Sequence, residues 1–342
     1  MAWIQLTSPH AHNRVTTDQV MRQVLLACLP GIAALTWFFG PGILINLLLT
    51  ISSALAAEAL VLKLRQRPLT VLRDHSALVT GVLLGVCLPA TAPWWIPVIG
   101  GLIAILLGKQ LYGGLGQNPF NPAMVAYAFL LISFPVQVSI WPLPATPLTS
   151  DPSWLQTLPG IDTLTGATAL DAWRNKGLLM ADEFWADESR LARDMIQAWA
   201  WVALAWLLGG LYLIYRRLIN WQIPVTFLTT LFIAGAFVWG LDTSHQAPPW
   251  LHLSAGSAVF AAFFILTDPV SGATSLRGKI WFAAGAALLV ISIRTWGTYP
   301  DGVAFSVLLM NLAAPALDYY TRPRVYGQPQ SRRGMRKTED PK

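Results

Sequence analysis

Apolar residues run along this chain in long unbroken stretches, without the alternation of a half-buried strand or the single stripe of a surface helix. Ten stretches read as membrane spans, at 24–39, 43–62, 76–92, 94–112, 122–140, 196–215, 223–241, 251–267, 280–296 and 302–320. A helix needs roughly 17 or more apolar residues to cross the hydrocarbon core. Several stretches lie near that limit, so their ends are loose. The pattern predicts an all-α polytopic membrane protein of about ten transmembrane helices.

Composition agrees. The 342 residues are 54% hydrophobic and 12% charged, about half the charge that soluble domains carry. Too few charges remain to cover a water-soluble surface. The net charge of +6 does not point to nucleic acid, because the basic residues sit in short clusters between apolar stretches and in the last twenty positions. That distribution is a topology signal. Cys28 and Cys87 both lie inside apolar stretches and show no metal-ligand spacing, which excludes a disulfide framework or an iron–sulfur site built from this chain alone. The segment from Met1 to Gln23 is polar and does not read as a cleavable signal peptide.

Cytoplasmic loops are enriched in Lys and Arg. With the N-terminus inside, the inner loops hold Lys63, Arg65, Arg67 and Arg73, then Lys109, then Arg216 and Arg217, then Arg277 and Lys279. The outer short loops near Gly40, Thr91 and Ser244 hold none, and the one after the ninth span has only Arg294. Both termini are expected in the cytoplasm of a bacterial inner-membrane protein. The one long connection, 141–195, is polar, Pro-rich at its start and acidic, and falls on the outer, periplasmic side. Its stretch from Trp154 to Trp173 argues for order.

The two halves resemble each other. Ser76–Pro89 ends an apolar run with proline, as does Ser257–Pro269; Val125–Leu131 after Asn118–Pro122 parallels Val303–Leu309 after Tyr299–Asp301. The displacement is 178 to 181 positions (307 − 129 = 178, 269 − 89 = 180, 257 − 76 = 181). Chance likeness between apolar helices is the alternative. A true duplication of five spans forces the second copy to run upside down, an inverted repeat of the kind many transporters use. The expected organisation is then 1–140, an N-terminal segment and first five-helix repeat; 141–195, the outer loop; 196–320, the second repeat; and 321–342, a basic cytoplasmic tail. Pro, Gly and Asn at membrane depth free backbone groups that lipid cannot satisfy. The breaks around Pro89, Pro269, Asn118–Pro122 and Gly297–Gly302 are therefore expected inside the protein or along a cavity.

Several residues are candidates for chemistry. In the long loop, Thr165-Gly166-Ala167-Thr168 presents a hydroxyl on a small-residue turn that bulky groups can approach; an ordinary capped turn reads the same way. A second such string ends at Thr274. Glu58 lies inside the second span, where an ionisable group is costly; it is either functional or paired with Lys63 at the interface. Asn118, Asn121, Asp268 and Asp301 flank the breaks and can line an ion path or cap half-helices. Asp242 and His245 belong to an outer loop.

The stretch Thr267-Asp268-Pro269-Val270-Ser271-Gly272-Ala273-Thr274-Ser275, with Arg294-Thr295-Trp296-Gly297, Tyr299-Pro300-Asp301-Gly302-Val303-Ala304-Phe305, Leu308-Leu309-Met310-Asn311-Leu312 and Asp318 to Gly327, resembles the D-subunit family of Rnf-type complexes. More distantly it resembles the B subunit of the sodium-translocating NADH:quinone oxidoreductase, and Asn118-Pro119-Phe120-Asn121-Pro122-Ala123-Met124 fits both. The likeness covers nearly the whole chain. It implies an electron-transfer subunit, not catalytic alone, within a complex that couples electron flow between ferredoxin and NAD to Na⁺ or H⁺ movement. It also implies FMN joined through its phosphate to the last threonine of a Ser-Gly-Ala-Thr-like string, attached outside the membrane by a flavin transferase using FAD and Mg²⁺. Charge counting puts Thr168 outside and Thr274 inside, beside Arg277 and Lys279, so the resemblance assigns the flavin to Thr168; Ala169-Leu170 after it also fits, and Thr165 replaces the usual serine. With no Rossmann fingerprint, Cys₄ cluster or Walker motif in the chain, NAD and iron–sulfur work falls to other Rnf-type membrane and iron–sulfur or flavin subunits. A second, non-covalent flavin such as riboflavin near the central Pro and Asn breaks is expected by analogy only. Trp154, Trp173 and Trp185 are candidates to contact the ring or to form an interfacial belt. Without the resemblance, the repeat alone also fits a channel or carrier for a small solute.

Overall fold

The computed structural model describes residues 16–144, 165, 166, 168–174, 190–299 and 301–321. Among these, seven helices are long and apolar enough to cross a membrane: α1 (Thr17–Phe39), α2 (Gly42–Leu64), the span Trp95–Tyr112 that begins with α4 (Trp95–Leu106), α8 (Arg190–Tyr215), α9 (Gln222–Leu241), α12 (Leu276–Trp296) and α13 (Val303–Thr321). The other three expected spans are short or broken. The stretch 76–92 forms α3 (Ser76–Gly85) and then turns to Pro89. The stretch 122–140 splits into α5 (Pro122–Ser133) and α6 (Pro135–Ser139). The stretch 251–267 is divided between α10 (Pro249–Ser254), α11 (Ala258–Phe260) and a π-helical turn, Ala261–Ile265. The fold is therefore all-α and polytopic, with seven continuous spans and three interrupted elements in place of ten uniform helices.

Local chemistry accounts for the breaks. Pro135 lacks an N–H and pushes Phe134 out of the helical region, to φ −137 and ψ 57. Gly256 takes φ +81 between α10 and α11, a conformation that side chains resist. Polar side chains close the freed backbone groups. Asn46 Nδ2 of α2 donates to the Pro89 carbonyl at 2.7 Å, and Thr91 Oγ1 donates to the Ile140 carbonyl at 3.2 Å. The π-helical turn sits inside the bundle, every residue from Ala261 to Ile265 being buried, whereas Pro135 and Val136 of α6 are exposed.

Packing recurs between the halves. α2 lies along α3 and α4 as α9 lies along α10 and α12, and α4 meets α5 as α12 meets α13. The halves join through α1 against α8 and α5 against α13. Close approach of α1 and α8 depends on small residues, as is common between membrane helices. A Cβ on Gly209 would stand 2.0 Å from the Ala27 carbonyl oxygen, and one on Gly31 would stand 2.4 Å from the Trp206 ring.

The long loop contributes two short pieces near the bundle. β1 (Trp141–Pro142) pairs antiparallel with β2 (Thr165–Gly166), Trp141 opposite Gly166 and Pro142 opposite Thr165. A short helix, α7 (Ala169–Arg174), follows. The part of Trp154–Trp173 before Thr165 lies outside the described residues, as do the basic tail and the first fifteen positions.

Substituting Gly209→Val is expected to destabilise the protein by about 1–3 kcal/mol, the usual cost of overpacking, because its backbone neighbour cannot move aside. Gly240→Ala, with nothing within 4 Å of the new Cβ, is expected to be neutral within about 0.5 kcal/mol. Unfolding of the purified variants by titration with SDS measures both.

Candidate functional site

The first cavity has a volume of about 1000 Å³ including its open mouth, and Thr168 lies on its wall. β-pairing with Trp141 and Pro142 fixes the string Thr165–Gly166 against the bundle, and Ala167 lies outside the described residues. Thr168 then caps α7: its Oγ1 accepts the Asp171 N–H at 3.2 Å. Arg174, at the far end of α7, donates from Nη1 to the Tyr299 carbonyl at 3.0 Å and from Nη2 to the Gly297 carbonyl. Those carbonyls belong to the break between α12 and α13. The threonine-bearing turn is thus clamped onto one end of the bundle at both sides.

Aromatic rings supply most of the cavity's width. Trp141 and Trp199 meet edge to face at 5.0 Å, and Phe39 packs within 5.2 Å of both. Deeper in, Trp206 packs on Phe260 at 4.6 Å and on Phe264 at 5.2 Å. Asp301 is the charged residue on the wall. Its Oδ2 accepts Ser257 Oγ at 2.6 Å and Ser257 N at 3.1 Å, and its Oδ1 accepts Arg294 Nη2 at 3.0 Å and Val303 N at 3.3 Å. Arg294 Nη1 donates to the His252 carbonyl at 2.7 Å. Arg294, the one outer-loop cation in the charge count, is therefore a buried partner of Asp301 rather than a loop charge.

Thr274 is placed differently. It lines neither cavity; its Oγ1 donates to Asp318 Oδ2 at 2.8 Å and its N–H to both Asp318 oxygens at 2.9 Å. It follows the C-terminal side of the π-helical turn and precedes α12, at the end of the bundle that also carries Arg65, Arg67, Arg216, Arg217, Arg277 and Lys279. Thr168 sits at the opposite end, with the C-termini of α1, α6 and α12 and the N-termini of α2, α4 and α13. The two threonine strings face opposite ends of one helical bundle.

The second cavity, about 880 Å³ with its mouth, opens at the basic end and includes Asn118, Asn121, Asp268, Lys109 and Phe264 on its wall. Phe264 also packs on Trp206 and Phe260 of the first cavity, so the π-helical turn separates the two spaces. Beside the second cavity lies a buried ion pair. Lys109 Nζ donates to Glu58 Oε1 at 2.5 Å and to Ser76 Oγ at 2.6 Å; Gln110 Nε2 donates to the same Glu58 oxygen at 2.9 Å. Glu58 pairs with Lys109 rather than Lys63. Lys109 in turn is buried and not a loop charge.

The sequence candidates divide between these spaces. Asn118, Asn121 and Asp268 gather in the second cavity, Asp301 stands apart in the first, and Glu58 adjoins the second through Lys109. Local bonds show capping and turn roles. Asn121 Oδ1 accepts Ala123 N at 3.1 Å and Met124 N at 3.3 Å, starting α5. Asp301 starts α13 in the same way, and Asp268 holds its own turn through Ser271 Oγ at 2.6 Å. Asn118 Nδ2 donates to the Phe120 carbonyl at 2.9 Å while its Oδ1 is buried without a partner among the described residues. Asp242 and His245 are exposed and bonded to each other. Of the tryptophans singled out, Trp173 is buried on α7, and Trp154 and Trp185 lie outside the described residues. The tryptophans on the wall of the first cavity are Trp141, Trp199 and Trp206. Trp199 and Trp206 stand seven positions apart, one face of a helix, a signal the sequence did contain.

The chain matches the model of the NQR2, RnfD, RnfE family over residues 4–327. It belongs to this family. It is 51% identical to the D subunit of the ion-translocating oxidoreductase complex of Ectopseudomonas mendocina, covering 98% of this chain and 99% of that protein. The D subunits of the same complex from Cellvibrio japonicus and Alcanivorax borkumensis are 48% and 50% identical, with 99% and 98% of this chain covered and 99% of each relative. Seven long apolar helices in a member of the NQR2, RnfD, RnfE family make this a multi-pass membrane protein.

Removing the clamp with Arg174→Ala deletes two charged hydrogen bonds, at about 1–3 kcal/mol of local stability together. Amide exchange of α7, followed by mass spectrometry, is expected to accelerate about tenfold or more. Exchange in α2 is expected to stay unchanged.

Proposed function

We propose that this chain is the flavin-carrying D subunit of an Rnf-type electron-transfer complex, with FMN joined through its phosphate to Thr168. The observation that carries the reading is that Thr168 lies on the wall of a wide, aromatic-lined cavity and its hydroxyl only accepts a backbone N–H, whereas Thr274 lines neither cavity and gives its hydroxyl to Asp318. Names and near-full-length identity of the relatives support the complex; they say nothing of the flavin.

The residues present fit the group. A flat, largely apolar ring system needs concave aromatic walls and a few polar groups, and the first cavity offers Trp141, Trp199 and Trp206 beside Asp301 and Ser257. Esterification at Thr168 leaves the Asp171 N–H beside the same oxygen, so the cap of α7 survives the modification. Bound there, FMN supplies one- and two-electron redox chemistry. The chain's own share is to hold the tether through Arg174, narrow water access with the tryptophans, and keep Asp301 fixed by Arg294 and Ser257. A covalent link keeps the cofactor from being lost to the aqueous side.

The second cavity, with Asn118, Asn121 and Asp268, is the place we assign to a non-covalent flavin such as riboflavin. Stacked between the two spaces, Phe260 and Phe264 then separate two redox groups. Orientation follows the charges: the end with Arg65, Arg216 and Arg277 faces the cytoplasm of the inner membrane, both termini lie there, and 141–195 is periplasmic and open to the flavin transferase. The second five-helix unit is the inverted copy of the first. Electron transfer between ferredoxin and NAD through partner iron–sulfur and flavin subunits is coupled to Na⁺ or H⁺ movement.

In a host that supplies flavin transferase, the chain is expected to fluoresce in a denaturing gel after boiling in SDS. Thr168→Val is expected to abolish the band and Thr274→Val to preserve it. A dark wild-type band, or a band lost only with Thr274→Val, refutes the anchor.

A further inference from the structure

We propose that Asp301, balanced by Arg294, sets how readily a group tethered at Thr168 takes up an electron. This rests on the reading of Thr168 as the flavin anchor and goes beyond it, by giving one ion pair a measurable share in the group's electrochemistry. Asp301 is the charged residue among those described on the wall of the first cavity; the others are apolar or neutral. It lies between α12 and α13, and four donors hold its carboxylate still: Ser257 Oγ, Ser257 N, Arg294 Nη2 and Val303 N. Burial pushes this carboxyl up, but Arg294 and the Ser257 donors outweigh burial and keep it below the ordinary carboxylate range. It is therefore an anion at neutral pH.

The turn that bears Thr168 lands on the same pair. Gly256 takes φ +81, and a Cβ built on it would stand 2.9 Å from Leu170 Cδ1, 3.1 Å from Asp301 Oδ2 and 3.3 Å from Arg294 Nη2. Leu170, two positions after Thr168, is buried there. Thr168, Leu170, Gly256, Ser257 and Asp301 all border the first cavity. A group fixed at Thr168 shares that space with the carboxylate.

The pair is also oriented. Asp301 lines the cavity and its side chain is 26% exposed, whereas Arg294 does not line it and is 1% exposed. Arg294 Nη1 is tied to the His252 carbonyl at 2.7 Å. The negative end of the pair thus faces the cavity and the positive end stands behind it. One added electron brings one negative charge into the space; the carboxylate opposes it and the guanidinium favours it. Arg174, the next cation, is held by the carbonyls of Gly297 and Tyr299.

Neither capping nor stability requires this charge. A neutral Asn caps a helix as well as Asp, and α5 starts on Asn121, 180 positions earlier (301 − 121 = 180), with its Oδ1 accepting Ala123 N and Met124 N. A buried ion pair adds little stability over a well-packed neutral pair.

The test uses the full-length chain purified from a host that supplies flavin transferase. Its flavin is titrated with dithionite and redox mediators and followed by absorbance, with the Thr168→Val chain as the blank for anything held without a covalent bond. An unbalanced unit charge about 10 Å away changes an equilibrium roughly tenfold at an effective dielectric of about 20. Asp301→Asn leaves Arg294 unopposed and is expected to raise the one-electron potential by that tenfold, about 59 mV. Arg294→Gln leaves Asp301 unopposed and is expected to lower it by a similar amount, and the double variant is expected to fall between. General loosening of the cavity moves both single variants the same way. Shifts of one sign in both, or potentials equal to the parent, overturn the proposal. Where a single variant yields no folded chain, Ser257→Ala decides. It keeps both charges and takes one donor from the carboxylate, so a fall of about threefold is expected and an unmoved potential refutes the role. Anchor and pair fail differently: a covalent band that survives Thr168→Val refutes both, whereas a band lost in Thr168→Val with unmoved potentials refutes the pair alone.

Discussion

Lipid supplies no hydrogen bonds, and that constraint shapes this molecule more than any single contact. Three of its ten apolar stretches cannot complete a helix, because proline and glycine interrupt them. The buried parts of those three, α3 and the π-helical turn above all, lie in the interior between the seven continuous spans. There the carbonyls of Pro89 and His252 meet Asn46 and Arg294 instead of hydrocarbon. The same interruptions leave room. Both cavities are bordered by broken elements, and the π-helical turn Ala261–Ile265 stands between them.

The interior arrangement also sorts two nearly identical threonine strings. A turn clamped by β-pairing and by Arg174 holds Thr168 against one cavity, and a carboxylate on α13 occupies the hydroxyl of Thr274 at the other end. Chemistry that depends on a reactive hydroxyl therefore differs between them for a reason that lies outside the strings themselves. The buried pair at Glu58 follows the same logic: its meaning comes from Lys109 on another span, not from its own neighbours in sequence.

Much of this was legible from the chain. Long apolar runs gave the fold class and Pro89 marked one interruption, but the breaks at Pro135 and Gly256 were not among those expected, because a hydropathy stretch does not say whether a proline or glycine divides a span or merely bends it. The constant displacement between the halves has a parallel in the packing, where α2 lies along α3 and α4 and α9 lies along α10 and α12. The exposed cations Arg65, Arg216 and Arg277 gather at one end of the bundle, whereas the charge count included Arg294 and Lys109, which are buried partners of Asp301 and Glu58. Sequence distance hides such pairs: Glu58 and Lys109 are 51 positions apart. Of the tryptophans on the wall of the first cavity, Trp199 and Trp206 project from a span, where a tryptophan reads as one apolar residue among many.

Sidedness tests the account most directly. Cys28 and Cys87 lie within the bundle, so single cysteines added at Lys176 in the long connection and at Lys279 at the start of α12 can be read without interference from exposed thiols. A membrane-impermeant maleimide applied to intact spheroplasts should label Lys176→Cys, and should reach Lys279→Cys only after the membrane is opened. Labelling of Lys279→Cys in sealed spheroplasts, with Lys176→Cys protected, would contradict the orientation and with it the assignment of Thr168.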